Sequence, residues 1–536
     1  MAASQSDWGV QSVDTKTAVK EPEKHAPDSV SFAMDEVINA MDAGDSDSGA
    51  FKDGEGGDAS LKRTPGGTLL VPQPTDDPDE PLNWSWTRKH LALFVLALGS
   101  FYVKFTATVL APGAVTLAHQ FHVTNRQGTY VTSAASLMPA VAPFVWIPLS
   151  RKFGRRPVLL AGTVMAIVFA IAVARAQTYA GAVACRICMA AGASAAICIG
   201  PAAISDMFFL HEKGTRMGMN TFLLVCAPYL GGVAGGSIQQ DPRLGWRWAM
   251  YMSAILLGGL LVAQFLFVPE TIFDRSRAVP ASQKPPKTLF QRLGLGFERP
   301  TVYANETWKY TFTRTFSMAA YPAVVLPSLW FSVAAMTEVA NTAGFALNFG
   351  PESRWHFNSR GVGFCSFSGL IGAVVGEMFA GPLCDFVAKR HLKKGTTWRP
   401  EKLLPLSIPG LVTISAGLLL YGFELNYPTS WAAALTGIGI FTAGQEIMLT
   451  VLMTYMTDCY PGTAAEISVV FQCFLNLMAY HPGFYTPQWI DQPGGAKVPY
   501  IVFAVLPIVF FPPCAGLLMW KGPQIRARGP WFTIGS

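Results

Sequence analysis

From about residue 90 to residue 520 the chain alternates apolar runs of about 20 residues with short polar breaks. A helix rises about 1.5 Å per residue, so each run is long enough to cross roughly 30 Å of hydrocarbon. The pattern predicts spanning helices near 90–112, 129–149, 157–176, 179–204, 219–238 and 248–268, then near 319–343, 361–384, 402–422, 430–456, 464–486 and 499–520. The two sets of six are separated by a polar stretch holding Arg275, Arg277, Lys284, Lys287, Arg292, Arg299, Lys309 and Arg314. The expected architecture is an all-α integral membrane protein of twelve transmembrane helices in two six-helix bundles. Its parts are an acidic, disordered cytosolic tail at 1–88, bundles at 89–270 and 319–520, a basic cytoplasmic linker at 271–318 and a cytosolic tail at 521–536.

Composition agrees, since only 14% of residues are charged and 51% are hydrophobic, against about 25% charged in soluble domains. The amino-terminal tail, with Asp35, Glu36, Asp42, Asp45, Asp47, Asp53, Glu55 and Asp58 among Gly, Ser and Ala, cannot bury enough surface to offset its ordering entropy. It lacks the basic and apolar regions of a cleavable signal peptide, so the first span is expected to act as the membrane signal.

Positive charge retains short loops in the cytosol. Arg151, Lys152, Arg155, Arg156, Lys213, Arg216, the central linker, Lys389, Arg390, Lys393, Lys394 and Arg399 all fall on one side, with Lys521, Arg526 and Arg528. The other side holds scattered residues such as Arg126, Arg175, Arg243, Arg354, Arg360 and Lys497. Both termini are therefore expected in the cytosol, which leaves the sequons at Asn83 and Asn305 unmodified. The net charge of +6 lies in these loops and does not point to nucleic acid. The nine cysteines sit in or beside apolar runs, and the C-x-x-C of Cys185 and Cys188 lies in a small-residue helix, so packing is expected rather than disulfides or metal.

Charged groups inside a span cost at least about 2.5 kcal/mol each at the bilayer centre and usually face a cavity or a partner. Lys104, Arg186, Glu338, Glu377 and Glu446 lie at such depths. Helical spacing groups Ser100, Lys104 and Thr108; Glu338, Asn341 and Thr342; Glu377, Gly381 and Asp385; Thr442, Glu446 and Thr450, with Gln445 beside them; and Gln472, Asn476 and Tyr480. The substrate and proton pathway is expected among Lys104, Arg186, Glu338, Asn341, Glu377, Gln445, Glu446 and Asn476. A carboxyl group in low dielectric can load and release a proton near neutrality. The alternative is that these charges neutralise one another, Lys104 with a glutamate for example, and only hold the bundle together.

A worn repeat joins the halves. Ile147-Pro-Leu-Ser-Arg-Lys-Phe-Gly-Arg-Arg-Pro157 follows the second run, and Gly381-Pro-Leu-Cys-Asp385 ends the eighth. This frame resembles the loop 2–3 motif of the major facilitator superfamily. Asp77-Pro-Asp-Glu-Pro-Leu-Asn-Trp84 resembles the entry signature of its fungal members, Arg186 with Gly192 is similar to the fourth-span pattern, and Pro269-Glu-Thr271 closes the sixth. Thr457-Asp-Cys-Tyr-Pro461 resembles a fungal drug:proton antiporter subgroup. There are departures: Ala190 stands where a Gly is usual, Arg151 replaces the acid and Ile147 the Gly of the first motif copy, and Gly232 replaces the Pro of the fifth-span antiporter pattern in Gly231-Gly-Val-Ala-Gly235-Gly236. The gating set implied by the resemblance is Arg151, Gly154, Arg155, Arg156, Gly231, Gly232, Gly235, Gly236, Gly381 and Asp385, with any acidic gating role at Asp385. The fifth-span glycines also have a plain reading as close helix packing.

The resemblance implies a secondary active transporter working by alternating access, exporting a drug or secondary metabolite in exchange for protons. It further implies a monomer, multi-pass in the plasma membrane, with the bilayer, a small solute and protons as partners and no cofactor. Proton-coupled uptake of an organic cation or nutrient is the alternative. A non-transporting receptor fits twelve spans poorly. A membrane enzyme would need a His or carboxylate ligand cluster, and a pump an ATP-binding G-x-x-x-x-G-K-[ST]; neither pattern occurs.

Overall fold

A computed structural model describes residues 62, 70, 73–241, 243–275, 278, 307–393, 399–460 and 463–527. The chain divides into Met1–Asp53, outside the described residues, and Gly54–Ser536. Ten helices among the described residues are long and apolar enough to cross a membrane. The pair Asn125–Val141 and Pro143–Phe153, bent by 45°, adds an eleventh.

All twelve apolar runs are helical, but several are broken. The first span, Trp86–Thr108, passes through a 3-10 turn at Ala111–Gly113, where Pro112 has no N–H to donate, into Ala114–Gln120. The second starts at Asn125 behind a capping box between Thr124 and Gln127. Arg155–Arg175, Tyr179–Met207, Leu210–Gln239 and Gly245–Phe267 complete the first bundle. In the second bundle the seventh span is Pro322–Ala335 followed by Thr337–Phe349, the eighth Ser359–Cys365 followed by Phe367–Lys393, and the ninth and tenth are Ser407–Asn426 and Trp431–Cys459. The eleventh divides at Pro482 into Ala464–Tyr480 and Pro482–Ile490, because a proline has no N–H to continue the helix. The twelfth, Lys497–Phe511, runs through a π turn at Pro512–Gly516 into Leu517–Ala527.

Two expectations are corrected. The tail placed at 1–88 ends earlier, because residues 73–85 fold back on themselves: Glu80 accepts from Thr75 N and Oγ1 at 2.6 and 2.7 Å, and Asn83 donates to the Thr75 and Asp77 carbonyls. Glu80 is buried and pairs with Arg275 at 3.0 Å, tying this strap to the exit of the sixth span. The linker placed at 271–318 closes with a helix, Trp308–Ser317, whose Phe316 stacks on Phe144 of the second span. Most of the rest of the tail and linker lies outside the described residues.

Each bundle has its own apolar core. One gathers Leu93, Leu96, Leu159, Ile197, Trp246 and Met250, the other Trp330, Phe331, Phe349, Tyr421, Phe441 and Tyr500. Buried polar side chains are paired within each bundle, as Thr163 with Gln264 and Tyr500 with Asn341, and others lie where the bundles meet, as Lys104 with Asn476.

Candidate functional site

At the basic end the two bundles are joined by an ion pair from Arg151, in the last turn of the second span, to Glu466, in the first turn of the eleventh. Behind it Arg155 pairs with Asp206 at 2.6 Å. The Glu270 carboxylate caps the third span, accepting from the Arg155 and Arg156 amides at 3.1 Å each, as expected where a helix start leaves N–H groups free. Gly154 makes this approach possible: its φ of 99° suits glycine, and a Cβ there would stand 2.5 Å from Glu270 Oε2. Of the second motif copy, Gly381 lies within the eighth span. Asp385 lies there too, but its side chain is outside the described residues.

The opposite end is bridged as well. Asn125 donates to Glu352 at 2.9 Å, the Arg360 amide donates to Gln240 at 3.4 Å, and the rings of Tyr130 and Phe484 stand 4.8 Å apart. The two bundles are thus in contact at both ends.

The fifth span runs along the seam, and its glycines are used in helix contact. Cβ atoms at Gly231 and Gly235 would lie 2.5 Å from Phe105 O and 2.0 Å from Val109 O, both in the first span region. At Gly232 and Gly236 they would lie 2.4 Å from Ser366 Oγ and 2.5 Å from Ser359 O, in the eighth. One helix therefore presses on both bundles.

The sequence-expected polar residues fall into two groups. In the first, Arg186 is buried and donates to the Thr106 and Ala107 carbonyls, with Met189 and Met250 sulfurs beside its other nitrogen. Lys104 donates to Asn476 Oδ1 at 3.3 Å, across the seam. These three line a small cavity of about 20 Å³. In the second, Glu377 accepts from Thr450 at 3.2 Å and reaches the fifth span, where a Cβ at Gly218 would meet its Oε1 at 3.4 Å. Glu446 is fully buried, and the charged groups acting on it are the carboxyl groups of Glu377, first, and Glu338. Glu338, at the junction of the two seventh-span segments, accepts from Gln445 at 2.8 Å. Asn341 accepts from Tyr500 at 2.9 Å, and Tyr229 and Thr442 share a hydrogen bond of 2.9 Å.

Neutralisation of Lys104 by a glutamate is not the arrangement found: among the described residues none of the three glutamates has a basic partner, and Lys104 has no acidic one. Sequence reasoning missed Glu466, Asp206 and Glu352, whose partners are far away in the chain. For Glu466, the sole available signal was an acid in the first turn of a span, which also reads as a complement to the helix dipole.

Two helical bundles tied at both ends around a polar seam define a polytopic carrier of small solutes. The sequence profile of the Major Facilitator Superfamily matches residues 96–480, and the chain belongs to that family, whose members are transporters rather than enzymes. It is a multi-pass membrane protein and a secondary transporter. It is 27% identical over 405 residues to the MFS-type transporter hepF of Aspergillus oryzae, covering 73% of this chain and 80% of that one. It is 26% identical over 464 residues to the efflux pump FUBT of Fusarium oxysporum, covering 85% and 76%. Among solved structures, the partially occluded inward-open xylose transporter XylE of E. coli matches with a TM-score of 0.55 at 15% identity, over 81% of this chain and 98% of that one. The human organic anion transporter matches with 0.54 at 15% identity, over 79% and 98%. At that identity the likeness is one of fold.

Proposed function

We propose that this chain exports a small organic molecule from the cytosol in exchange for protons, as a monomer in the plasma membrane. The observation that carries the coupling is the Glu377 and Glu446 pair, two neighbouring carboxyl groups inside the bundle with no cation beside them among the described residues. Two such groups in low dielectric resist ionising together, so the pair can hold one proton between them and surrender it when water enters. Glu377 also touches the fifth span, the helix that presses on both bundles, so rocking of the bundles changes the surroundings of the pair. Names given to relatives, such as efflux pump, support the outward direction.

The remaining expected residues take places in the same cycle. Arg151 with Glu466 is a gate at the cytosolic end, Gly154, Arg155 and Arg156 hold the loop behind it, and Glu338 with Gln445 extends the polar path. Vesicles of known orientation, loaded with a panel of labelled small molecules and given pH gradients of either sign, test this directly. Export predicts solute movement against the proton flow; solute moving with the protons would establish uptake instead.

A further inference from the structure

The cavity at the seam has a chemistry distinct from that of the carboxyl pair. Its volume is about 20 Å³, room for about one water molecule, so a solute can enter it only when the bundles move apart. Two of its lining side chains are charged, Lys104 and Arg186, and both are cationic; no described lining residue is acidic. Arg186 is held by two backbone carbonyls of the first span. Lys104 is different. Its ammonium has three donors, and among the described residues it reaches one acceptor, the Asn476 amide oxygen at 3.3 Å. That oxygen is aimed at it, because the Asn476 amide nitrogen is occupied by Gln472 O and Oε1 at 2.8 and 3.0 Å. A neutral amide orients the lysine without balancing its charge. An ammonium at this depth is expected to seek an anion, and the walls supply none.

We propose that the solute is an organic anion: a small, largely apolar molecule bearing one carboxylate, its charge against Lys104 and its body against Val103, Ala135, Pro139 and Met189. This rests on the reading of the chain as an exporter of a small organic molecule, and names the class of that molecule. It has an energetic consequence. Moving an anion outward and a proton inward both carry positive charge into the cell, so an inside-negative potential assists each turnover.

Full-length protein in lipid nanodiscs, with no gradient, tests the proposal by calorimetric titration with 1-naphthoate, its neutral methyl ester and 1-naphthylmethylammonium. The acid is expected to bind about tenfold or more tightly than the other two, as a charge-assisted contact implies. Lys104→Met should abolish that preference and Lys104→Arg should keep it, with thermal melting used to establish that both variants fold. Equal binding of the ester or the amine, no binding of the acid, or an intact preference in a folded Lys104→Met protein would each overturn the proposal. Proton-driven flux of a non-acidic solute in vesicles would leave the export reading standing while this one fell.

Discussion

Gly154 and Glu270 show how a single residue sets the cytosolic loop. At φ 99°, with the Glu270 carboxylate against its α-carbon, position 154 has no room for a side chain. Gly154→Ala is expected to destabilise the protein by about 1–3 kcal/mol from backbone strain alone, because φ 99° with ψ 153° lies in a region essentially confined to glycine, with the steric clash added. A drop in melting temperature, larger than for an alanine placed at the unobstructed Gly258, checks it. Glycine in this loop was legible in the sequence from its motif. Its partner was not, because Glu270 lies more than a hundred positions away and only folding brings the two together.

Among elements, the fifth span and the second-to-eleventh-span contact do most to join the bundles. The four glycines of the fifth span divide by face, Gly231 and Gly235 toward the first span region, Gly232 and Gly236 toward the eighth. Gly235→Ala should chiefly lower melting temperature, since it separates helices of one bundle. Gly236→Ala should chiefly change turnover, since it separates the bundles; equal effects of the two on both readouts would show that the faces are not specialised. At the basic end, Arg151→Ala and Glu466→Ala are each expected to increase labelling of a thiol placed in the cavity by a cytosolic reagent. The exchange Arg151→Glu with Glu466→Arg should restore protection if the pair is a gate, and failure of the exchange to do so would reduce it to a local contact. The sequence located Arg151 as a departure from its motif. What it could not show was that the departure has an acid opposite, because that acid belongs to the other bundle.

For the whole molecule, run length and the lysine and arginine asymmetry made the architecture legible, because hydrocarbon thickness constrains every span alike. Less legible were the breaks: the bend of the second span and the division of the eleventh come from prolines within apolar runs that hydropathy treats as continuous. The strap at 73–85 was not legible in the sequence because Glu80, at its centre, pairs with Arg275, beyond six spans. Reporters fused near Lys287 and at the carboxyl end are expected to lie in the cytosol. Glycosylation at either would reverse the assignment of the ends, and with it the direction of the gate.

Exchange of solute for protons through the pair of Glu377, half-buried, and Glu446, fully buried, is the central claim, and Glu377→Gln isolates it. Glutamine keeps the shape and the hydrogen bond to Thr450 but cannot take up a proton. In proteoliposomes, the variant is expected to insert and bind solute as the wild type does, and to exchange solute across equal concentrations, while losing accumulation driven by a pH gradient. A well-folded Glu377→Gln protein with undiminished pH-driven accumulation would contradict the account.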